Sequence, residues 1–100
     1  MLSDKIEDLT QFNKLVIGLT QKGYVFTVQN IYKGRQVIVY EQYIDKDGVH
    51  LIRQWDAVIH GGSYGHEDGL LEIYGTIVEK FTQDDEVLGW LTAIEILNKL

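Results

Sequence analysis

A chain of 100 residues with a formal net charge of −6 is long enough for one domain built around one hydrophobic core. The chain contains no cysteine, which excludes disulfides, thiolate zinc sites and cysteine nucleophiles. Its nine lysine and arginine residues are scattered, so this acidic chain is expected to repel phosphate backbones and not to bind nucleic acid directly.

The N-terminal segment has the apolar period of an amphipathic helix that packs on a core. Ser3 or Asp4 is expected to cap its start, and Gly23 is expected to end it because glycine adopts left-handed dihedrals cheaply. The polar side is acidic, unlike that of a membrane-surface helix, and no apolar run approaches the length of a membrane span. We therefore expect no membrane partner. The apolar positions are Leu2, Ile6, Leu9, Phe12, Leu15, Val16 and Leu19.

Three strands joined by short turns are predicted to follow the helix. Residues 24–32, 36–44 and 49–60 are rich in β-branched and aromatic side chains. Residues 33–35 and the Asp-Lys-Asp-Gly run at 45–48 are predicted to form the turns. Because a parallel return needs a long crossover, consecutive strands with such short connections must be antiparallel neighbours.

A fourth strand is predicted over residues 70–78, with Leu71 and Ile73 facing the core. Thr92 and Glu95 have the spacing of a capping box, which predicts a short C-terminal helix. The predicted fold is therefore α+β, a single domain with an N-terminal helix, a four-stranded antiparallel sheet and a short C-terminal helix over residues 1–100. One or both helices are expected to cover one face of the sheet and to leave the other face to solvent or to a ligand.

The stretch HGGSYGHEDG, residues 60–69, contains the pattern G-x-S-x-G around Ser63. A nucleophile of that kind needs a strand, a sharp elbow and a helix, with a triad histidine further along the chain. Here a strand is predicted to follow, and the only downstream histidine is His66, three residues after the serine. We therefore predict no catalytic residues and no enzymatic activity.

The same stretch offers metal ligands, because His60, His66, Glu67 and Asp68 supply nitrogen and oxygen donors and His50 can approach from a strand. Their spacing matches no zinc site that we can assign, and adjacent carboxylates point apart on an extended backbone. We expect no metal and no cofactor. A small metal-binding domain that uses His60 and His66 remains an alternative.

The glycine-rich stretch is also a candidate binding loop. An exposed tyrosine between flexible glycines, as at position 64, is typical of an anchor in a protein–protein contact. In the opposing interpretation, Tyr64 folds back onto the sheet and the stretch is only a turn. The predicted binding residues are Ser63, Tyr64, His66, Glu67 and Asp68.

The C-terminal part of the chain resembles small proteins of unassigned activity that are encoded by phages, prophages and mobile elements of Gram-positive bacteria. Those proteins carry G-S-Y-G-x-x-x-G-L-L-E before G-[WY]-L-T-A and a short helix. This chain departs from them at Ile94, where the relatives carry an acidic residue. The matching residues are Gly62, Ser63, Tyr64, Gly65, Gly69, Leu70, Leu71, Glu72, Gly89, Trp90, Leu91, Thr92 and Ala93.

This resemblance implies a bacterial cytoplasmic setting and no particular activity. It also implies that the glycine-rich loop and the last helix form one unit. Leu70, Leu71 and Trp90 are then expected in the core, and Tyr64 and Glu67 at an edge.

The function expected from these observations is that of a non-enzymatic accessory protein that binds an unidentified host protein. The −6 charge leaves open an acidic DNA mimic that inhibits a host defence or nucleic-acid enzyme. Because the chain has no proline, one common protection of sheet edges is missing. A homodimer is therefore also a candidate assembly.

Overall fold

A computed structural model describes residues 6–100, which form an antiparallel sheet with a helix before it and a short helix after it. The five strands lie in chain order, β1-β2-β3-β4-β5, and each neighbouring pair is antiparallel. Two short 3₁₀ helices, His66–Asp68 and Thr76–Lys80, flank β4. The helices and strands are α1 Thr10–Gln21, β1 Val25–Ile31, β2 Gly34–Asp45, β3 Gly48–Ile59, β4 Leu71–Gly75, β5 Val87–Leu91 and α2 Ala93–Leu97.

Helix α1 begins later than its apolar period predicts. The backbone N–H of Ile6 donates to the carbonyl of Lys33 at 3.0 Å, which ties this residue to the turn between β1 and β2 instead of to the helix. Asp8 then accepts a hydrogen bond from the N–H of Thr10 at 3.1 Å. That backbone hydrogen bond is the main reason why the pKa of Asp8 lies below its usual value.

The predicted end of α1 is confirmed, because the helix stops before Gly23, whose φ is +79°. The predicted caps Ser3 and Asp4 lie outside the described residues. At the other end of the chain, the capping box of α2 is confirmed. The Thr92 hydroxyl accepts from the N–H of Glu95, and the Glu95 carboxylate accepts from the N–H of Thr92.

The first three strands match their predicted positions closely. The β1–β2 turn lies one residue earlier than predicted, at Tyr32 and Lys33, whose φ values are +43° and +61°. Two consecutive positive φ values are the backbone of a type I′ turn, whose twist matches that of the strands it joins. The Asp-Lys-Asp-Gly run joins β2 to β3 as predicted.

The prediction of four strands is wrong, because residues 87–91 form a fifth. This strand, β5, aligns with β4 through Leu71↔Leu91 and Ile73↔Leu88, with a register shift between them. The fourth strand is also shorter than predicted. At Gly75, φ of +107° turns the chain into the 3₁₀ helix Thr76–Lys80.

One hydrophobic cluster joins α1, α2 and one face of the sheet. Leu71 and Ile73 belong to it, as predicted. Both helices contribute to this cluster, so the opposite face, the outer face, is not covered by either of them. The buried members include Phe12, Leu15, Leu19, Val37, Val39, Trp55, Ala57, Ile59, Leu91, Ala93 and Ile96.

The β2–β3 hairpin extends past the rest of the sheet. Strand β1 pairs with β2 only as far as Tyr40, and β4 pairs with β3 only from Trp55 onward. Within the described chain, residues 41–53, here called the arm, therefore have strand partners only inside the β2–β3 hairpin, and all except His50 are exposed. Residues 34–40 and 54–59, here called the base, lie within the sheet. The arm contributes to an elongated shape of 47 × 28 × 23 Å.

Candidate functional site

The glycine-rich loop is closed by the serine of the G-x-S-x-G pattern. Ser63 is only 3% exposed, and its hydroxyl accepts from the N–H of His60 and donates to the carbonyl of the same residue, both at 3.0 Å. The N–H of Ser63 donates to that carbonyl as well, at 3.1 Å. The Ser63 hydroxyl therefore has a structural role, which is to stabilise the turn that follows β3.

In both histidines of the loop, the ring nitrogen Nδ1 makes a hydrogen bond to the backbone of the loop. His60 Nδ1 accepts from the N–H of Gly62 at 2.9 Å, so neutral His60 carries its proton on Nε2. His66 Nδ1 lies 2.6 Å from the carbonyl oxygen of Ser63, which can only accept, so this nitrogen donates. Both contacts hold the rings against their own loop.

Burial lowers the pKa of His60 below its ordinary value, because the imidazolium is less well solvated there. The carboxylate of Glu72 opposes this effect, a positive charge on His66 adds to it, and Asp56 opposes it more weakly. His60 also meets Tyr32 edge to face, with ring centroids 5.3 Å apart. The folded loop therefore favours neutral His60.

Two glycines let the loop approach β5 closely. A Cβ at Gly89 would overlap the Cβ of Tyr64, and a Cβ at Gly65 would come within 3.0 Å of the backbone of Trp90. The loop is joined to the strand by a hydrogen bond from the N–H of Trp90 to the carbonyl of Tyr64, at 3.3 Å. Glycine at both positions is what allows the two backbones to touch.

The result is an exposed pair of stacked aromatic rings, here called the aromatic stack. The rings of Tyr64 and Trp90 have centroids 5.2 Å apart and an interplanar angle of 19°. Their exposed fractions are 56% and 57%. Tyr64 is thus exposed, although it also lies back against the sheet, where its ring stacks on Trp90 of β5.

The prediction that Trp90 belongs to the core is wrong, because its side chain is exposed. Its φ is +56°, a left-handed value that is uncommon for a bulky residue. The neighbouring core positions of β5 are taken by Leu88 and Leu91, which face Ile73 and Leu71. Two residues separate these leucines on β5 while one residue separates their partners on β4, and at this bulge the indole of Trp90 is exposed. Leu70, also predicted in the core, is only half-buried.

All five predicted binding residues line one shallow pocket beside the aromatic stack. Its volume is about 250 Å³, and it is formed by residues 62–68 together with Trp90. Glu67 and Asp68 are exposed at this pocket, and His66 is half-buried. The Glu72 carboxylate lies nearby and accepts from the N–H of Tyr64 at 3.4 Å. The pocket therefore combines aromatic surface with negative charge.

A metal site of the kind considered above requires several ligating side chains to point toward one position. Within residues 6–100, no group of three or more histidine, aspartate or glutamate side chains is placed to hold a metal ion. His50 lies in the arm, where it contacts Asp45 at 2.9 Å and stacks on Tyr43. His50 is therefore engaged in the arm, away from the glycine-rich loop.

A buried carboxylate on the outer face was not anticipated from the sequence. Asp56 lies between Ile38 and Tyr74 in register, where its Oδ2 accepts from Gln36 and lies 3.4 Å from Arg53. Its Oδ1 is buried and has no hydrogen-bond partner within the described chain. The only signal in the sequence is an aspartate among apolar residues of a strand.

No protein-family model matches this chain, and no curated protein or solved structure is significantly similar to it. Across the part of the chain that the structure describes, none of the helices has the length and apolar character needed to cross a bilayer.

Proposed function

We propose that this protein is a non-enzymatic binding module whose aromatic stack captures a basic segment of another protein. The observation that carries the proposal is the exposed stack of Tyr64 on Trp90. Large aromatic side chains that stay exposed and ordered are the residues that most often dominate the binding energy of protein interfaces.

The stack is preorganised, which favours binding. The glycine contacts at positions 65 and 89 and the hydrogen bond from Trp90 to Tyr64 restrain both backbones before any partner arrives. Side chains that are already held in place lose less conformational entropy on binding. A left-handed tryptophan is a local cost to folding, and such costs cluster at functional sites.

The charge around the stack indicates the chemistry of the partner. Glu67 and Asp68 lie at the pocket beside two aromatic rings, in a chain with net charge −6. Aromatic faces attract lysine and arginine, and carboxylates at the rim steer a basic partner towards the site. We therefore expect the bound segment to present a lysine or arginine next to apolar side chains.

The genomic setting that we propose is a phage or mobile element of a Gram-positive bacterium, with a host protein as the partner. The two parts of the resembling pattern support this proposal. Residues 62–65 and 89–93 are far apart in sequence but touch at the aromatic stack. Such contact is expected if the pattern describes one binding unit.

Affinity capture with matched variants tests the proposal. Tagged wild-type protein, Tyr64→Ala, Trp90→Ala and Tyr74→Ala are each passed through a lysate of a Gram-positive host, and bound proteins are identified by mass spectrometry. Tyr74 is the control, because it is also an exposed aromatic residue of the sheet. We expect one protein to bind wild type and Tyr74→Ala, and to be lost from both stack variants. The same proteins on all four columns would contradict the proposal.

The captured partner then separates this proposal from the DNA-mimic alternative. A basic peptide segment of the partner should bind at the stack, shift the fluorescence of exposed Trp90 and bind at least tenfold more weakly to Tyr64→Ala, in line with a binding hot spot. A partner that duplex DNA displaces, and that binds Tyr64→Ala as well as wild type, would instead favour the DNA mimic.

A further inference from the structure

The arm exposes apolar side chains that no other part of residues 6–100 covers. On its outer face, Ile44 faces Val49 across the hairpin, and Leu51 faces Gln42. Ile44 is 72% exposed, and Leu51 is 49% exposed. A two-stranded ribbon with no third strand and no helix over it is marginally stable on its own. A further strand or a second protein surface that covered these side chains would therefore stabilise the arm.

The arm also leaves both of its strand edges open. Within residues 6–100, β2 has no strand partner on its β1 side beyond Tyr40, where β1 begins at Val25, and β3 has none on its β4 side before Trp55, where β4 ends at Gly75. Open edges present backbone N–H and C=O groups that can pair with another strand, and proteins commonly protect them with lysine or proline. Residues 48–54 of the β3 edge contain neither.

The charged side chains on the two strand edges indicate which edge can pair with the same edge of a second copy. If two β2 edges paired antiparallel about Tyr43, Glu41 of each copy would face Asp45 of the other. Like charges directly opposite each other destabilise a strand pair. Residues 48–54 of the β3 edge carry no acidic side chain, so two β3 edges meet no such repulsion.

The length of the open β3 edge selects the register. Opposite residues of an antiparallel pair lie on the same face of the sheet. When the two strands are identical, this condition is met only if one residue faces its own copy, so the two-fold axis passes through that residue. An axis at Leu51 pairs residue 49 with residue 53 and keeps the pairing within the exposed part of the edge, before half-buried Gln54 and the end of β4 at Gly75. The two leucines then face each other, and Val49 faces Arg53 of the second copy.

We propose that this protein forms a symmetric homodimer through the β3 edges of its arms, with Leu51 on the two-fold axis. The two arms form a four-stranded centre, and the two sheets become one continuous sheet. Ile44, Val49 and Leu51 of both copies then line one shared apolar surface. The dimer leaves the aromatic stack outside the interface and is independent of what the stack binds.

Single-cysteine crosslinking tests the edge and the register, because the chain has no cysteine of its own. Facing residues of a strand pair have Cβ atoms about 4.5–5.5 Å apart, while diagonal neighbours are about 7–8 Å apart. A disulfide needs the shorter separation. Under mild oxidation, we expect Leu51→Cys to form a disulfide-linked dimer at least tenfold faster than His50→Cys, the register control, or Tyr43→Cys, the control for the β2 edge.

Sedimentation equilibrium supplies the second test, on the uncrosslinked protein. We expect wild type to dimerise, Leu51→Lys to raise the dissociation constant at least tenfold, and Tyr43→Lys to leave it unchanged. The two sites are matched, being 49% and 45% exposed on opposite strands of the arm. Circular dichroism confirms that each variant is folded. The proposal is overturned if wild type is monomeric, if Tyr43→Cys crosslinks as fast as Leu51→Cys, or if both lysine variants weaken the dimer equally.

Discussion

The base and the arm of the β2–β3 hairpin are made from the same two strands but have different surroundings. In the base, Val37, Ala57 and Ile59 are fully buried under the helices. In the arm, comparable apolar residues are exposed. The register shift between Val39 and Tyr40 lies next to the boundary between the two regions. Apolar, β-branched sequence therefore predicts a strand in both regions, and only the neighbouring elements decide whether that strand is core.

The arm is held by contacts within the hairpin instead of by burial. Tyr43 and His50 face each other and stack, with ring centroids 4.8 Å apart and an interplanar angle of 14°. Asp45 accepts from the N–H of Asp47 and contacts His50, which orders the turn. Cross-strand pairs of this kind contribute roughly 0.2–1 kcal/mol each. Mutations are therefore expected to cost much less in the arm than in the base.

The largest contrast is expected between an aromatic residue of the base and one of the arm. Trp55 is 5% exposed, so Trp55→Ala should lower the free energy of unfolding by about 3–5 kcal/mol through lost burial and a cavity. Tyr43→Ala removes only one cross-strand pair and should cost about 1 kcal/mol or less. Urea unfolding followed by circular dichroism, at one low protein concentration, measures both.

Trp55→Phe is the control for the size of the cavity and should lose less stability than Trp55→Ala. Equal losses for the base and arm variants would show that the arm is packed against something in the folded protein.

The turn-forming residues made the first three strands predictable. Each hairpin is local, with a two-residue turn that the nearby glycine and aspartate residues favour. The fifth strand was not predictable in this way, because β5 is short, contains Gly89 and pairs with β4 across an intervening 3₁₀ helix. Likewise, the start of α1 depends on the bond from Ile6 to Lys33, which no local pattern contains.

The candidate site was predictable in part. The glycines around Tyr64 indicated a loop with an exposed aromatic ring, and that ring is exposed. The exposure of Trp90 was missed, because tryptophan usually packs in the interior and its left-handed φ has no signature in the sequence. The aromatic stack exists only because β5 lies next to the loop, so its prediction required the missed strand.

A smaller contrast is expected between a glycine of the base and a glycine of the arm. A Cβ at Gly34 would overlap the carbonyl oxygen of Ile59, so Gly34→Ala must displace a backbone and should cost about 1–3 kcal/mol. Among the described residues, a Cβ at Gly48 would meet nothing within 4 Å, so the obstacle to alanine there is the φ of +119°. Gly48→Ala should therefore cost about 1–2 kcal/mol from backbone strain alone.

Hydrogen exchange distinguishes the two glycine variants better than global unfolding does. Gly34→Ala should raise the exchange rates of amides throughout the base, because the clash lies inside the sheet. Gly48→Ala should raise them only in the arm. Faster exchange in the base of Gly48→Ala would contradict the separation of the two regions.

The smallest effect is expected at His60, which directly follows the base. Because the folded loop lowers the pKa of His60, the folded protein binds this proton less readily than the unfolded chain, whose value is about 6.5. The stabilising effect of neutral His60 is therefore complete above that pH and is lost as the pH falls below it. Asparagine can still accept from the N–H of Gly62 but does not titrate. Between neutral and mildly acidic pH, we expect the free energy of unfolding to fall less for His60→Asn than for wild type. In an NMR titration of the wild-type protein, we expect the imidazole resonances of His60 to show an inflection below pH 6.5. An inflection above 6.5 would mean that the carboxylates of Glu72 and Asp56 outweigh burial at this position.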